Sequence, residues 1–197
     1  MSEKLSTTTR DRLVTAVAEL MRVQGYSAIT VKQITAASGA PMGSLYHHFP
    51  AGKSAIAAEA LRTSGAAYIQ LIPLLLDAHD DLREAVPAAF AAAAETIEQG
   101  GWMNMCPVAT VAGEVADSTP EIRDVAGEVM KSWIDEGAEY LVRRGLAGED
   151  ARELMIAIIC ALEGAFVLSR TLRSTEPLLA AGKAMGARVS EIVGSKI

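Results

Sequence analysis

The chain has 197 residues, half of them hydrophobic, 5% aromatic and 21% charged, with a net charge of -6. That length holds one large domain or a small one joined to a larger, and a core of Ala, Val, Leu, Ile and Met with so few rings favours a soluble, all-α protein over an aromatic-rich sheet. The acidic total excludes a basic surface over the whole chain but not at one end. Residues 1–54 carry six basic and three acidic side chains, or +3, and the remainder 12 and 21, or -9. Such a balance suits a protein that offers one end to phosphate and repels it elsewhere.

Met1 to Thr9 is polar and reads as no secretion signal, and the apolar run Leu71–Leu76 is far too short to span a membrane. A cytoplasmic protein without a membrane partner is expected. A first helix is predicted from Thr8 or Thr9 to Gln24, with Leu13, Val17, Leu20 and Met21 on one face and Gly25 stopping it. Thr30 is a good cap for a second helix over Val31–Ser38, with Val31 and Ile34 inward and Ala37 available to pack. Gly39, Ala40 and Pro41 turn the chain into a third helix, from Pro41 or Met42 to His48, whose inward residues are Leu45 and Phe49. Beyond Pro50–Gly52 come long helices at about 53–72, 81–99, 104–116, 120–145, 148–170 and 174–194. Pro73, Gly100–Gly101, Ser118–Pro120, Gly145, Gly148 and Ser174–Thr175 punctuate them. The functional boundary is expected near residue 53, giving a DNA-binding domain over 1–53 and a ligand-binding and dimerisation domain over 54–197.

Two short helices joined by a glycine turn, the second bearing exposed polar and aromatic groups, form a helix-turn-helix, whose second helix enters the major groove. The residue types fit. Tyr46 offers a hydroxyl to phosphate or a ring to a thymine methyl, Ser44 and His47 bond to base edges or phosphates, and Gly43 keeps the helix thin at the DNA. Lys32 is the long cation able to reach a guanine edge, while Thr30 and Lys53 suit phosphates.

From Thr30 to Phe49 the sequence resembles the DNA-binding signature of the TetR family of repressors. Ile34, Ala37, Gly39, the run Gly43, Ser44, Leu45, Tyr46, His47, His48, Phe49 and the lysine soon after carry the likeness. The resemblance implies an all-helical fold, homodimerisation and effector-induced release from operator DNA. It also implies base and phosphate contacts at Thr30, Lys32, Met42, Gly43, Ser44, Tyr46, His47 and Lys53. One departure is the Pro50, Ala51, Gly52 insertion before Lys53, which is similar to an LmrA-like subgroup. Cys106, Pro107, Val108, Ala109 and the runs from Leu162 to Ala165 and from Arg173 to Leu178 extend that likeness into the body.

Within the body, the last two helices read as the dimerisation element. Ile158, Leu162, Ala165 and Ser169 recur at three- and four-residue steps, as do Leu178, Gly182, Met185 and Val189, and Gly182 and Gly186 would admit a neighbouring helix. Trp102, Met103, Met105, Cys106, Trp133, Met155 and Phe166 concentrate flat or adaptable side chains suited to an apolar effector pocket. Glu163, set amid apolar neighbours, needs a donor or a cationic ligand if buried. Cys106 and Cys160 match no metal-ligand spacing and read as small core residues.

No cofactor, metal or catalytic set is expected. Ala51 to Ser54 imitates the end of a phosphate-binding loop but has His47 where the motif needs glycine, and no strand precedes it. His47 and His48 diverge by about 100° on a helix, with no further ligands nearby, and His79 has no evident triad partner. A small helical enzyme is the rival class; its sign would be a convergent polar set in the body, which the sequence does not offer.

Overall fold

The computed structural model describes residues 8–103 and 105–194. Its described residues form ten helices and no strand: α1 Thr9–Gln24, α2 Val31–Ser38, α3 Met42–His48, α4 Lys53–Ile69, α5 Leu71–Leu76, α6 Leu82–Gln99, α7 Pro107–Val115, α8 Pro120–Arg143, α9 Gly148–Leu172 and α10 Glu176–Gly194. The all-α expectation holds. One expected break moves: the helix begun at Lys53 ends at Ile69, and Pro73 lies in the first turns of α5, where its missing N–H costs nothing.

Two compact units share the chain, and the first joins distant segments: the described residues up to Gly65 together with Pro107–Val129. Here α1 packs against α2, α3 and α7. Local chemistry makes each short helix. Thr8 and Asp11 form a reciprocal capping box for α1, and Thr30 and Gln33 form another for α2. Gly39, with φ 64°, supplies the left-handed residue that ends α2. Leu13, Met21, Ile34 and Leu45 are fully enclosed, so three helices totalling few turns share one small core. Leu20 is only half-buried and Ala37 exposed, whereas Val14, Ala16 and Ser38 are buried.

The second unit comprises Ala66–Cys106 and the chain from Met130 onward. Its centre is α10 packed on α6 and α9, with α5 also against α6. Leu82, Val86, Phe90, Ile97, Leu154, Leu178 and Val189 lie at the heart of this core. A Cβ on Gly182 would stand 2.6 Å from Cβ of Phe90, and one on Gly186 would stand 2.6 Å from Cγ of Pro87. The neighbour that these glycines admit is thus α6 of the same chain. Of the predicted seam, Leu178, Gly182, Val189, Ala165 and Ser169 are buried within the chain, while Ile158, Leu162 and Met185 are half-buried. A different stripe faces out: Ile156, Cys160, Val167, Leu168 and Leu172 of α9, joined by Leu179 of α10, are exposed. Cys160 is therefore no core residue. α9 is apolar on nearly every face, with a mean hydropathy of 1.8 over 18 residues, and periodicity has no way to choose its inner side.

Candidate nucleic-acid interface

The reading surface is set by what α3 hides. Leu45 is fully buried and Phe49, just past the helix, nearly so. A helix of seven residues anchored on those two must turn Met42, Gly43, Tyr46 and His47 outward, and all four are exposed; Ser44 is half-buried. Met42 and Tyr46 expose 53% and 47% of their surfaces. The His47 and His48 rings meet edge-on at 5.1 Å.

Thr30 and Lys32 flank α3 from α2, and both are exposed. Thr30 already works within the protein: its hydroxyl accepts the Gln33 N–H at 3.2 Å, while the Gln33 side chain accepts the Thr30 N–H at 2.8 Å. Lys53 is the least available of the eight residues. Its Nζ donates to the Ser27 carbonyl at 3.2 Å and lies 4.3 Å from the centre of the Tyr26 ring. Burial pushes its ammonium pKa down, against the pull of the Glu114 charge. The other described cations of this unit's first helix are also engaged: Arg10 with Glu59 at 2.8 Å and over the Phe49 ring, Arg12 with the Ser38 carbonyl, and Arg22 with Glu19. Lys32 alone among the described head cations points to solvent with no protein partner to its side chain.

Gly43 has no protein atom within 4 Å of where a Cβ would stand, and its backbone is ordinary right-handed helix. Neither packing nor backbone conformation requires glycine there.

Two stretches of this chain match descriptions of known families. Residues 13–60 match "Bacterial regulatory proteins, tetR family", and residues 83–184, half of the chain, match "Transcriptional regulator LmrA/YxaF-like, C-terminal domain". The chain belongs to the TetR family of transcriptional regulators. Within the family it is similar to the helix-turn-helix transcriptional regulator YxaF of Bacillus subtilis (strain 168), 35% identical over 86% of this chain and 89% of that protein. The regulator LmrA of the same organism is 30% identical over 86% of this chain and 90% of its own length. Among solved structures, the regulatory protein TetR from Rhodobacter sphaeroides superposes with a TM-score of 0.78 over 91% of this chain and 98% of that one; at 21% identity this is a likeness of fold.

The TetR-family body brings only some of the eight predicted ligand residues together. Trp102 and Phe166 are half-buried against the core that contains Met155. Cys106 is buried, and its thiol donates to the Glu163 carboxylate, whose Oε2 is enclosed without a hydrogen-bond partner. Burial pushes the Glu163 carboxyl up and the Cys106 bond only partly opposes this. Met105 is buried and Met103 exposed. Trp133 is absent from that core and stacks instead on Tyr68, with ring centres 6.0 Å apart. An open, charged groove on α8 and the start of α9, lined by Asp135, Glu139, Arg143 and Arg152, contains none of the eight.

Backbone geometry also singles out this region. The two non-glycine residues with left-handed backbone among the described ones are Trp102 (φ 67°) and Arg173 (φ 53°), conformations that cost about 1–3 kcal/mol when imposed on such side chains. Arg173 Nη1 donates to the carbonyl of Gly101, next to Trp102, at 3.2 Å. Sequence reasoning includes Trp102, meets Arg173 only as the start of a run shared with the LmrA-like subgroup, and has no signal for Tyr68 or Glu114. Each acts through a partner dozens of residues away, which no local pattern encodes.

Proposed function

We propose that this TetR-family regulator is a homodimeric repressor that reads an operator with α3 and is released by a small apolar or amphipathic effector bound in the second unit. Met42, Gly43, Ser44, Tyr46 and His47 meet the major groove, Lys32 reaches a base edge, and Thr30 and Lys53 serve phosphates. For Lys53 this requires its ammonium to leave, or share, the Ser27 carbonyl.

Gly43 carries the reading. Glycine in an exposed helix costs about 0.5–1 kcal/mol relative to Ala, and nothing inside the protein repays that cost at this position. A surface that must approach another backbone closely does. Pairing is supported by the outward stripe of α9: only 22% of its most apolar window is buried, and a second copy is the cover proposed for the rest. Lipid is a poor alternative because Glu163 sits within the same helix. Pairing also gives two heads the spacing of about 34–36 Å that successive major grooves demand. An effector that binds the released conformation tighter by about 1–3 kcal/mol suffices for a useful response. Trp102, Met103, Met105, Cys106, Trp133, Met155, Glu163 and Phe166 are its proposed contacts. The role is regulatory rather than enzymatic, and the protein works in the cytoplasm.

Selection of bound sequences from a random duplex pool, followed by anisotropy titration at several salt concentrations, tests this. Enrichment of an inverted repeat with half-sites one helical turn apart supports it. Weak binding without sequence preference, falling steeply with salt, reflects phosphate attraction alone and would sink it, leaving small-molecule turnover as the property to assay.

A further inference from the structure

The connector between α1 and α2 is held by a residue far outside the helix-turn-helix. Glu114, near the end of α7, accepts the Tyr26 N–H on Oε2 at 2.6 Å and the Ser27 N–H on Oε1 at 2.8 Å. These amides immediately follow Gly25, the residue with φ 77° that ends α1. Their N–H groups would otherwise point at solvent with no helical carbonyl to meet. A carboxylate that takes two successive N–H groups makes a paired, charge-assisted contact, stronger and more directional than a neutral bond.

The fit is close from both sides. The left-handed backbone of Gly25 calls for glycine, and a Cβ there would push the Glu114 carboxylate off its seat. Opposite, Lys53 at the start of α4 donates to the Ser27 carbonyl and covers the Tyr26 ring. Two amides, one carbonyl and one ring of the adjacent residues Tyr26 and Ser27 are thereby fixed. Three residues after Ser27, Thr30 opens α2, and α2 packs on α3. Partial burial pushes the Glu114 carboxyl up, but the Ser27 side chain, the N–H groups of Ser27 and Tyr26 and the Lys53 charge outweigh it, and the group titrates below the usual glutamate range. It is an anion, and hence a double acceptor, at neutral pH.

We propose that Glu114 is a positioning residue for operator reading: its paired bonds to Tyr26 and Ser27 set the placement of α2 and α3 against α7, and a displacement of α7 reaches the reading surface through them. This rests on the operator-binding reading above. It gives α7, which packs on α1, a role beyond filling the core with Val108, Val111 and Val115.

The test compares full-length protein with Glu114→Gln, in which one oxygen remains and an NH2 group faces the second amide. The probes are the duplex enriched by the wild-type protein and an unrelated duplex of equal length, both titrated well below the thermal midpoint. Amide proton shifts of Tyr26 and Ser27 report the bonds directly. The expected result is an upfield move of those two signals, about a tenfold or greater loss of affinity for the enriched duplex, and unchanged affinity for the unrelated one. Displaced signals with enriched-duplex affinity kept within twofold overturn the positioning role, because the bonds then serve only the local fold. Signals that stay put overturn the bonds themselves. If Glu114→Gln fails to fold, Glu114→Asp, which keeps the charge but is too short to reach both amides, takes its place in the same measurements, and each outcome carries the same meaning. Failure of wild-type selection to enrich any duplex takes down the operator reading, a result distinguishable from every outcome above.

Discussion

Gly43 in α3 and Gly182 in α10 are both helical glycines, and their surroundings are opposites. Around Gly182 the side chain of Phe90 and a carbonyl of Pro87 already fill the space a methyl group would need; around Gly43 there is nothing. Gly182 is explained by the protein's own interior. Gly43 has no such neighbour, and the space beside it is the one proposed for operator DNA. Open space alone does not set Gly43 apart, since Gly113, Gly127 and Gly164 are equally open; its place between Met42 and Ser44 on the exposed side of α3 does.

The α9 stripe makes the same distinction at larger scale, and breaking it should give the largest effect. Leu168→Asp places a charge on the outward face without touching the core, since Leu168 is 53% exposed. Sedimentation is expected to show monomers, with specific operator affinity lost by about a hundredfold or more as half-site pairing disappears. A variant that stays dimeric would move the interface elsewhere.

Gly182→Ala comes next. Overpacking costs about 1–3 kcal/mol and the gain in helix propensity returns up to about 1, so denaturant unfolding should register a net loss of about 1–2 kcal/mol. No loss would mean α6 and α10 can part freely. Third, Glu163→Gln probes the enclosed carboxylate. A carboxyl whose folded pKa is raised favours the folded state in its protonated form, so its ionisation destabilises the protein as pH rises through that raised value. The amide has no such penalty. The variant is expected to be more stable than wild type by about 1 kcal/mol at neutral pH and to lose this advantage below the usual glutamate range. Equal stability across that window would show that Glu163 is already satisfied.

Gly43→Ala is the smallest change in stability and the sharpest in meaning. It should stabilise the fold by about 0.5–1 kcal/mol while weakening binding to the selected duplex. Stabilisation without any loss of DNA affinity would remove the strongest argument for the reading surface.

Most helices are legible because their punctuation is local. Thr30 with Gln33, and Gly39 after Ser38, decide boundaries within four residues, and the exposed set on α3 follows once Leu45 and Phe49 are taken as its anchors. Partner choice is less legible. The spacing of Leu178, Gly182 and Val189 correctly marks a buried face, yet the same spacing serves a partner chain or α6 equally well. Lys53 reads as a phosphate contact because it is a cation beside a reading helix; its bond to Ser27 depends on where α4 begins relative to the α1–α2 connector. Glu114 leaves no trace, because the amides it binds lie in a loop and carry no side-chain code.

The outward stripe of α9 also bears on gene dosage. If active protein forms only when two chains cover that stripe together, the concentration of pairs at low abundance rises as the square of the chain concentration. A twofold change in synthesis then becomes about a fourfold change in pairs able to occupy an operator. Leu168 and Leu172 would in this way make the regulator's own abundance part of its response, steepening the transition between a silent and an expressed gene.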